Sequence, residues 1–107
     1  MKTTTITIDQ AIELCRKCAD ECQSCANECE GMQGMETCVS LCRECAGECD
    51  KIVAMDQKST NMKQAIQKCA DTCERCADEC KKYDNTTCRS CAESCTKCAT
   101  ELRAVEA

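Results

Sequence analysis

The cysteines of this 107-residue chain are spaced alternately by three and four positions, and this spacing constrains the fold more than any other feature. An alternation of three and four places every member of a series on one face of an α-helix. The pattern therefore predicts four helices whose core-facing positions carry thiols instead of leucine or isoleucine. The four series are Cys15, Cys18, Cys22, Cys25 and Cys29; Cys38, Cys42, Cys45 and Cys49; Cys69, Cys73, Cys76 and Cys80; and Cys88, Cys91, Cys95 and Cys98.

Short polar or glycine-containing connections separate the four series, and such connections place consecutive helices antiparallel. We therefore predict an all-α, up-down-up-down antiparallel four-helix bundle with a cysteine-lined core. It forms a single domain over residues 1–107, with helices at roughly 8–30, 35–57, 61–83 and 86–105.

Residues that suit helix termini support these boundaries. Thr7 followed by Gln10 has the spacing of a capping box at the start of the first helix. Gly31 is suited to a left-handed conformation after that helix. Ser59 or Thr60 is expected to cap the third helix.

The two ends of the predicted bundle differ in chemistry. At one end, called the closed end here, the helical seams continue into an apolar plug of Ile8, Ala11, Ile12, Ile52, Met55, Met62, Ile66, Leu102 and Val105. At the other, the open end, they run through Met32, Met35 and Tyr83. Tyr83 is expected to pack as a cap, whereas the Met32 and Met35 thioethers are of a type that binds Cu(I).

Composition excludes several classes of function. The net charge of −5 argues against nucleic-acid binding, and no apolar run of about 18 residues predicts a membrane span. The first ten residues lack the apolar segment of a secretion signal. We therefore expect a cytoplasmic protein whose thiols stay reduced, and reduced cysteine clusters indicate metal or redox chemistry.

Thiolates are soft ligands that select Cu(I), zinc or iron–sulfur clusters. The chain has no histidine and no compact loop of cysteines, which disfavours the usual zinc and iron–sulfur arrangements. One Cu(I) per thiolate is neutral, so many ions can be buried together. This favours storage of multiple Cu(I) ions, while sequestration of zinc or other soft metals, a metal-sensing module, a thiol redox reserve and cysteines that only fill the core remain alternatives.

The repeated unit Cys-x-x-x-Cys-x-x-Cys-Ala-x-x-Cys, as in Cys69 to Cys80, resembles the bacterial four-helix-bundle copper storage proteins. The resemblance implies a preformed bundle that binds many Cu(I) ions in the cytosol, often as a homotetramer, and that is not an enzyme. Several members of that family place histidine at the mouth of the bundle, and here Met32 and Met35 stand in its place. All seventeen cysteines and both of these methionines are therefore the predicted metal ligands, and no catalytic residue is predicted.

Overall fold

The computed structural model describes residues 6–56 and 58–105, and it confirms the predicted all-α bundle. The helices are α1 (Ile8–Cys29), α2 (Glu36–Ala54), α3 (Met62–Cys80) and α4 (Thr86–Leu102). Within these residues the only strand-like pairing is an isolated bridge between Ile6 and Val105. There the Ile6 amide donates a hydrogen bond to the Ala104 carbonyl oxygen at 3.2 Å.

The helices form a closed ring, in which consecutive helices pack against each other and α1 packs against α4. Their order is antiparallel, as the sulfur contacts between α2 and α3 show. Cys38 near the start of α2 lies 3.7 Å from Cys80 at the end of α3. Cys49 near the end of α2 lies 3.5 Å from Cys69 early in α3. The predicted up-down-up-down order is therefore correct.

The start of α1 is capped as predicted. The Gln10 amide donates to Thr7 Oγ1 at 3.1 Å, and the Thr7 amide donates to Gln10 Oε1 at 2.9 Å. After α1, Gly31 and Gly34 both have φ of +85°, a conformation that favours glycine because it has no Cβ. These two glycines turn the chain within residues 30–35, which we call the open-end hairpin.

Other helix ends differ from the prediction. The last three helices end at residues 54, 80 and 102, three residues before the predicted 57, 83 and 105. The reason at α3 is a tightened last turn, because the Tyr83 amide donates to the Cys80 carbonyl three residues back. The expected cap of α3 was also wrong: Asn61 is the N-cap, and Ser59 Oγ instead accepts from the Asn61 amide at 3.2 Å.

The closed end carries the ordinary hydrophobic core of the protein. Ile8, Met55 and Val105 are partly buried there, and the other six residues of the predicted plug are buried. Ile6, which was not predicted to join the plug, is also buried at this end. The plug ties the four helices together, so that the rest of the core can consist of small thiols. None of the helices described is long and apolar enough to cross a membrane.

Candidate metal centre

All seventeen cysteine side chains lie in the interior, each with a relative exposure of 2% or less. All are free thiols. Their burial follows directly from the spacing, because a helix turns once per 3.6 residues and the three–four alternation follows that turn. Alanines such as Ala26 and Ala70, which are fully buried beside the thiols, allow the helices to approach closely.

The thiols form four layers along the bundle, each with one cysteine from every helix. From the closed end, layer 1 is Cys15, Cys49, Cys69 and Cys98; layer 2 is Cys18, Cys45, Cys73 and Cys95; layer 3 is Cys22, Cys42, Cys76 and Cys91; and layer 4 is Cys25, Cys38, Cys80 and Cys88. Cys29 lies beyond layer 4, at the open end, with its Sγ 3.8 Å from that of Cys88.

Neighbouring sulfurs are close both within and between layers. Within layer 2 the Sγ atom of Cys45 lies 3.3 Å from that of Cys73 and 4.0 Å from that of Cys95. Between layers 2 and 3 the Sγ atoms of Cys22 and Cys95 are 3.5 Å apart, and between layers 3 and 4 those of Cys42 and Cys80 are 3.8 Å apart. These separations exceed the roughly 2.05 Å of a disulfide. The sulfurs therefore form one continuous column of separate thiols.

Several sets of four sulfurs lie close enough together to share one metal ion, with all members within 4.8 Å of one another. The sets overlap, because Cys18, Cys22 and Cys25 each belong to two of them. A thiol shared between two sets can bridge two metal ions, and this property suits a chain of ions better than a row of isolated centres.

Burial controls the charge of the free thiols. It raises the pKa of Cys38 from its ordinary 9.0 to about 11, and it also raises the pKa of Cys25 and Cys29. Neutral thiols therefore fill this part of the core at neutral pH, and a bound metal ion must displace their protons. When one Cu(I) ion binds per thiolate, it replaces the proton of that thiol, and the net charge of the core does not change. A zinc ion with four thiolates leaves two net negative charges, which are costly to bury repeatedly.

The open end separates the two predicted methionine ligands. Met35 is buried in the core, at 6% exposure, whereas Met32 is 48% exposed. The Met32 amide donates to the Cys29 carbonyl oxygen at 3.0 Å, so the open-end hairpin continues directly from the outermost cysteine. The structure therefore brings the cysteines together but buries only one of the two predicted methionine ligands in the core.

Tyr83 is partly buried at the open end, as expected for a packing residue, and it contacts a partner that the sequence analysis missed. Its hydroxyl donates to Glu79 Oε2 at 2.6 Å and lies 3.3 Å from the Gly34 carbonyl oxygen. The hydrogen bond from Tyr83, followed by one from Lys82, lowers the pKa of Glu79. The four-residue spacing of Glu79 and Tyr83 places them on one helix face and is the signal that could have indicated the pair.

Comparisons with known proteins agree with this geometry. A family model described as copper storage protein matches residues 4–107. A Cu(I)-bound structure of the copper storage protein BsCsp3 is 39% identical, with a TM-score of 0.82 over 89% of this chain and 93% of that chain. The apo structure of copper storage protein 3 from Bacillus subtilis gives the same identity and TM-score over 89% of this chain and 94% of that chain. A search of curated proteins gave no match.

Proposed function

This chain belongs to the copper storage protein family and stores multiple Cu(I) ions, and we propose that all seventeen core cysteines are the ligands of that store. The observation that carries the proposal is the continuity of the thiol column. Every cysteine is buried, and sulfur–sulfur contacts of 4.0 Å or less join each layer to the next.

The mechanism is ligand exchange in a low-dielectric core. Each Cu(I) that binds displaces a thiol proton, so the net charge of the column stays constant as it fills. Because adjacent sulfurs can bridge, capacity rises to about one Cu(I) per cysteine, consistent with the soft-ligand preference of this ion. Binding, storage and release need no general acid or base, and we propose that the protein is not an enzyme.

Copper enters and leaves at the open end in this proposal. The opposite end is filled by large apolar side chains such as Ile52 and Leu102, which are 0% and 2% exposed. Met32 is the exposed soft donor that meets an incoming ion first, and Met35, buried on the same hairpin, is the next. From there the ion reaches Cys29 and layer 4.

We place the protein in the cytoplasm because a reducing compartment keeps so many neighbouring thiols in the free form. The family resemblance also favours a homo-oligomer, with a tetramer as the proposed state. Light scattering coupled to size-exclusion chromatography of the copper-free and copper-loaded forms measures that state.

Anaerobic titration of the reduced protein with Cu(I), followed by elemental analysis, tests the proposed ligand set. We expect saturation near one ion per cysteine, about seventeen in all. A matched variant with the four layer 1 cysteines changed to alanine should lose about four of these ions. Saturation at about four ions in the wild type, or an unchanged capacity in the variant, would show that the column is not used as a whole.

A further inference from the structure

In the outermost set of four sulfurs, four of the six sulfur–sulfur separations are nearly equal. The set consists of Cys25 and Cys29 from α1, Cys38 from α2 and Cys88 from α4, and we call it the mouth cage. The Sγ of Cys88 lies 3.8 Å from that of Cys25, 3.8 Å from that of Cys29 and 3.9 Å from that of Cys38. The Sγ atoms of Cys25 and Cys38 are 3.9 Å apart.

These four separations match the edge of a tetrahedron around a zinc ion, and all four sulfurs lie within 4.8 Å of one another. With a zinc–sulfur distance of about 2.3 Å, two sulfurs of a tetrahedral centre lie about 3.8 Å apart. The separations vary more in a deeper set, which consists of Cys18, Cys22, Cys45 and Cys95. There they include 3.5 Å between Cys22 and Cys95 and 4.0 Å between Cys45 and Cys95. We propose that the mouth cage is a preformed tetrahedral site for one Zn²⁺ ion in the copper-free protein.

The position of the cage favours a divalent ion there over the deeper sets. A zinc ion bound by four thiolates retains two net negative charges, so its cost grows with distance from water. Cys29 is the last residue of α1 and is followed by the exposed residues Glu30 and Gly31. Adjacent sets share thiols, so a second ion next to the first would compete for ligands as well as repel it.

Helix dipoles favour the thiolate form at two of the four ligands and oppose it at Cys29, the last residue of α1. Cys38 and Cys88 are each the third residue of their helices, α2 and α4. The amino-terminal turn of a helix carries partial positive charge and stabilises thiolates. Two of the four ligands therefore lie where a negative charge is favoured. The deeper cysteines of α2 and α4 are beyond the first turn, where this effect fades.

This proposal concerns the copper-free state and adds to the storage of Cu(I) without depending on it. It is tested by anaerobic titration of reduced, copper-free protein with Zn²⁺ alone against a chromophoric chelator, and separately with Co²⁺ as a spectroscopic probe. We expect one tight equivalent of Zn²⁺ and, with Co²⁺, the intense visible bands of a tetrahedral tetrathiolate centre.

The variant Cys29→Ala should weaken Zn²⁺ binding at least about 100-fold, since even the loss of an outer-shell partner costs up to that factor. The matched control Cys15→Ala removes one thiol at the closed end and should bind Zn²⁺ as the wild type does. Far-UV circular dichroism checks both folds, and Cys88→Ala replaces Cys29→Ala if the latter loses helicity.

Three results would overturn the proposal: no tight Zn²⁺ binding by the wild type, undiminished binding by Cys29→Ala, or equal weakening in Cys15→Ala. Cu(I) capacity is measured on the same samples. If the wild type does not bind Zn²⁺ tightly but keeps its Cu(I) capacity, the mouth cage is refuted and the proposed copper store is not.

Discussion

Raising the pH above 9 should destabilise the reduced, copper-free protein and leave the stability of the copper-loaded form unchanged. Burial raises the pKa of Cys38 to about 11 and also raises the pKa of Cys25 and Cys29, so these thiols keep their protons in the folded state. In the unfolded chain they ionise near 9. Between these values the unfolded state binds fewer protons than the folded state, and folding stability therefore falls as the pH rises.

The magnitude follows from the size of the shift. One pKa unit corresponds to about 1.4 kcal/mol, so Cys38 alone accounts for about 3 kcal/mol between pH 9 and pH 11. Cys25 and Cys29 add to the slope in the same direction. A small domain has a total stability of about 5–15 kcal/mol. The contribution is complete below pH 9, and its loss by pH 11 removes a substantial part of that stability.

Urea unfolding followed by far-UV circular dichroism at several pH values, under anaerobic and reducing conditions, measures this slope. The variant Cys38→Ala lacks one titrating thiol, and its slope should be shallower by about 1.4 kcal/mol per pH unit. The copper-loaded protein, whose thiols are already deprotonated, should show no fall in stability above pH 9. A free energy of unfolding that is constant from pH 8 to pH 10.5 in the copper-free protein would refute the reasoning.

Three further changes have distinct expected results. Met32→Leu combined with Met35→Leu should slow Cu(I) uptake in stopped-flow experiments and leave the final capacity unchanged, whereas wild-type rates would exclude a methionine route. Ile52→Ala should lower the free energy of unfolding, measured with urea, by about 2–5 kcal/mol, because Ile52 is fully buried in the plug. Its control is Val53→Ala, which should lower the free energy of unfolding by less because Val53 is only partly buried. Tyr83→Phe should raise the pKa of Glu79 and speed amide exchange in the open-end hairpin, and unchanged exchange would show that the Tyr83 hydroxyl does not hold the hairpin.

The periodicity of the cysteines was sufficient to predict the fold and the thiol column. A repeat of three and four fixes one helix face, and short connections leave few ways to bring four such faces together. The layers follow from the same rule, since antiparallel neighbours bring Cys49 opposite Cys69 and Cys38 opposite Cys80. Only the individual sulfur–sulfur distances within and between the layers required coordinates.

Periodicity gives no information outside the helices, and the structure departs from expectation there. Met32 and Met35 both flank glycine in the open-end hairpin, yet one is exposed and the other is buried. The chain turns between them through positive φ angles at Gly31 and Gly34, and no periodic pattern specifies that path. Ile6 is likewise buried through its bridge to Val105, a pairing between distant parts of the chain that no local pattern indicates.

The arrangement of the core explains why this protein can store a metal without needing that metal in order to fold. Its backbone is positioned by two features that need no ion, the apolar plug at the closed end and the alanines that allow close helix contact, such as Ala26 and Ala70. Sulfurs of adjacent helices and adjacent layers are consequently 3.3–4.0 Å apart at many points along the column. Because little rearrangement is then needed when an ion binds, the binding free energy is not reduced by a cost of ordering the chain. Binding to the folded state alone adds further stability, and the fold remains available for refilling when the copper leaves.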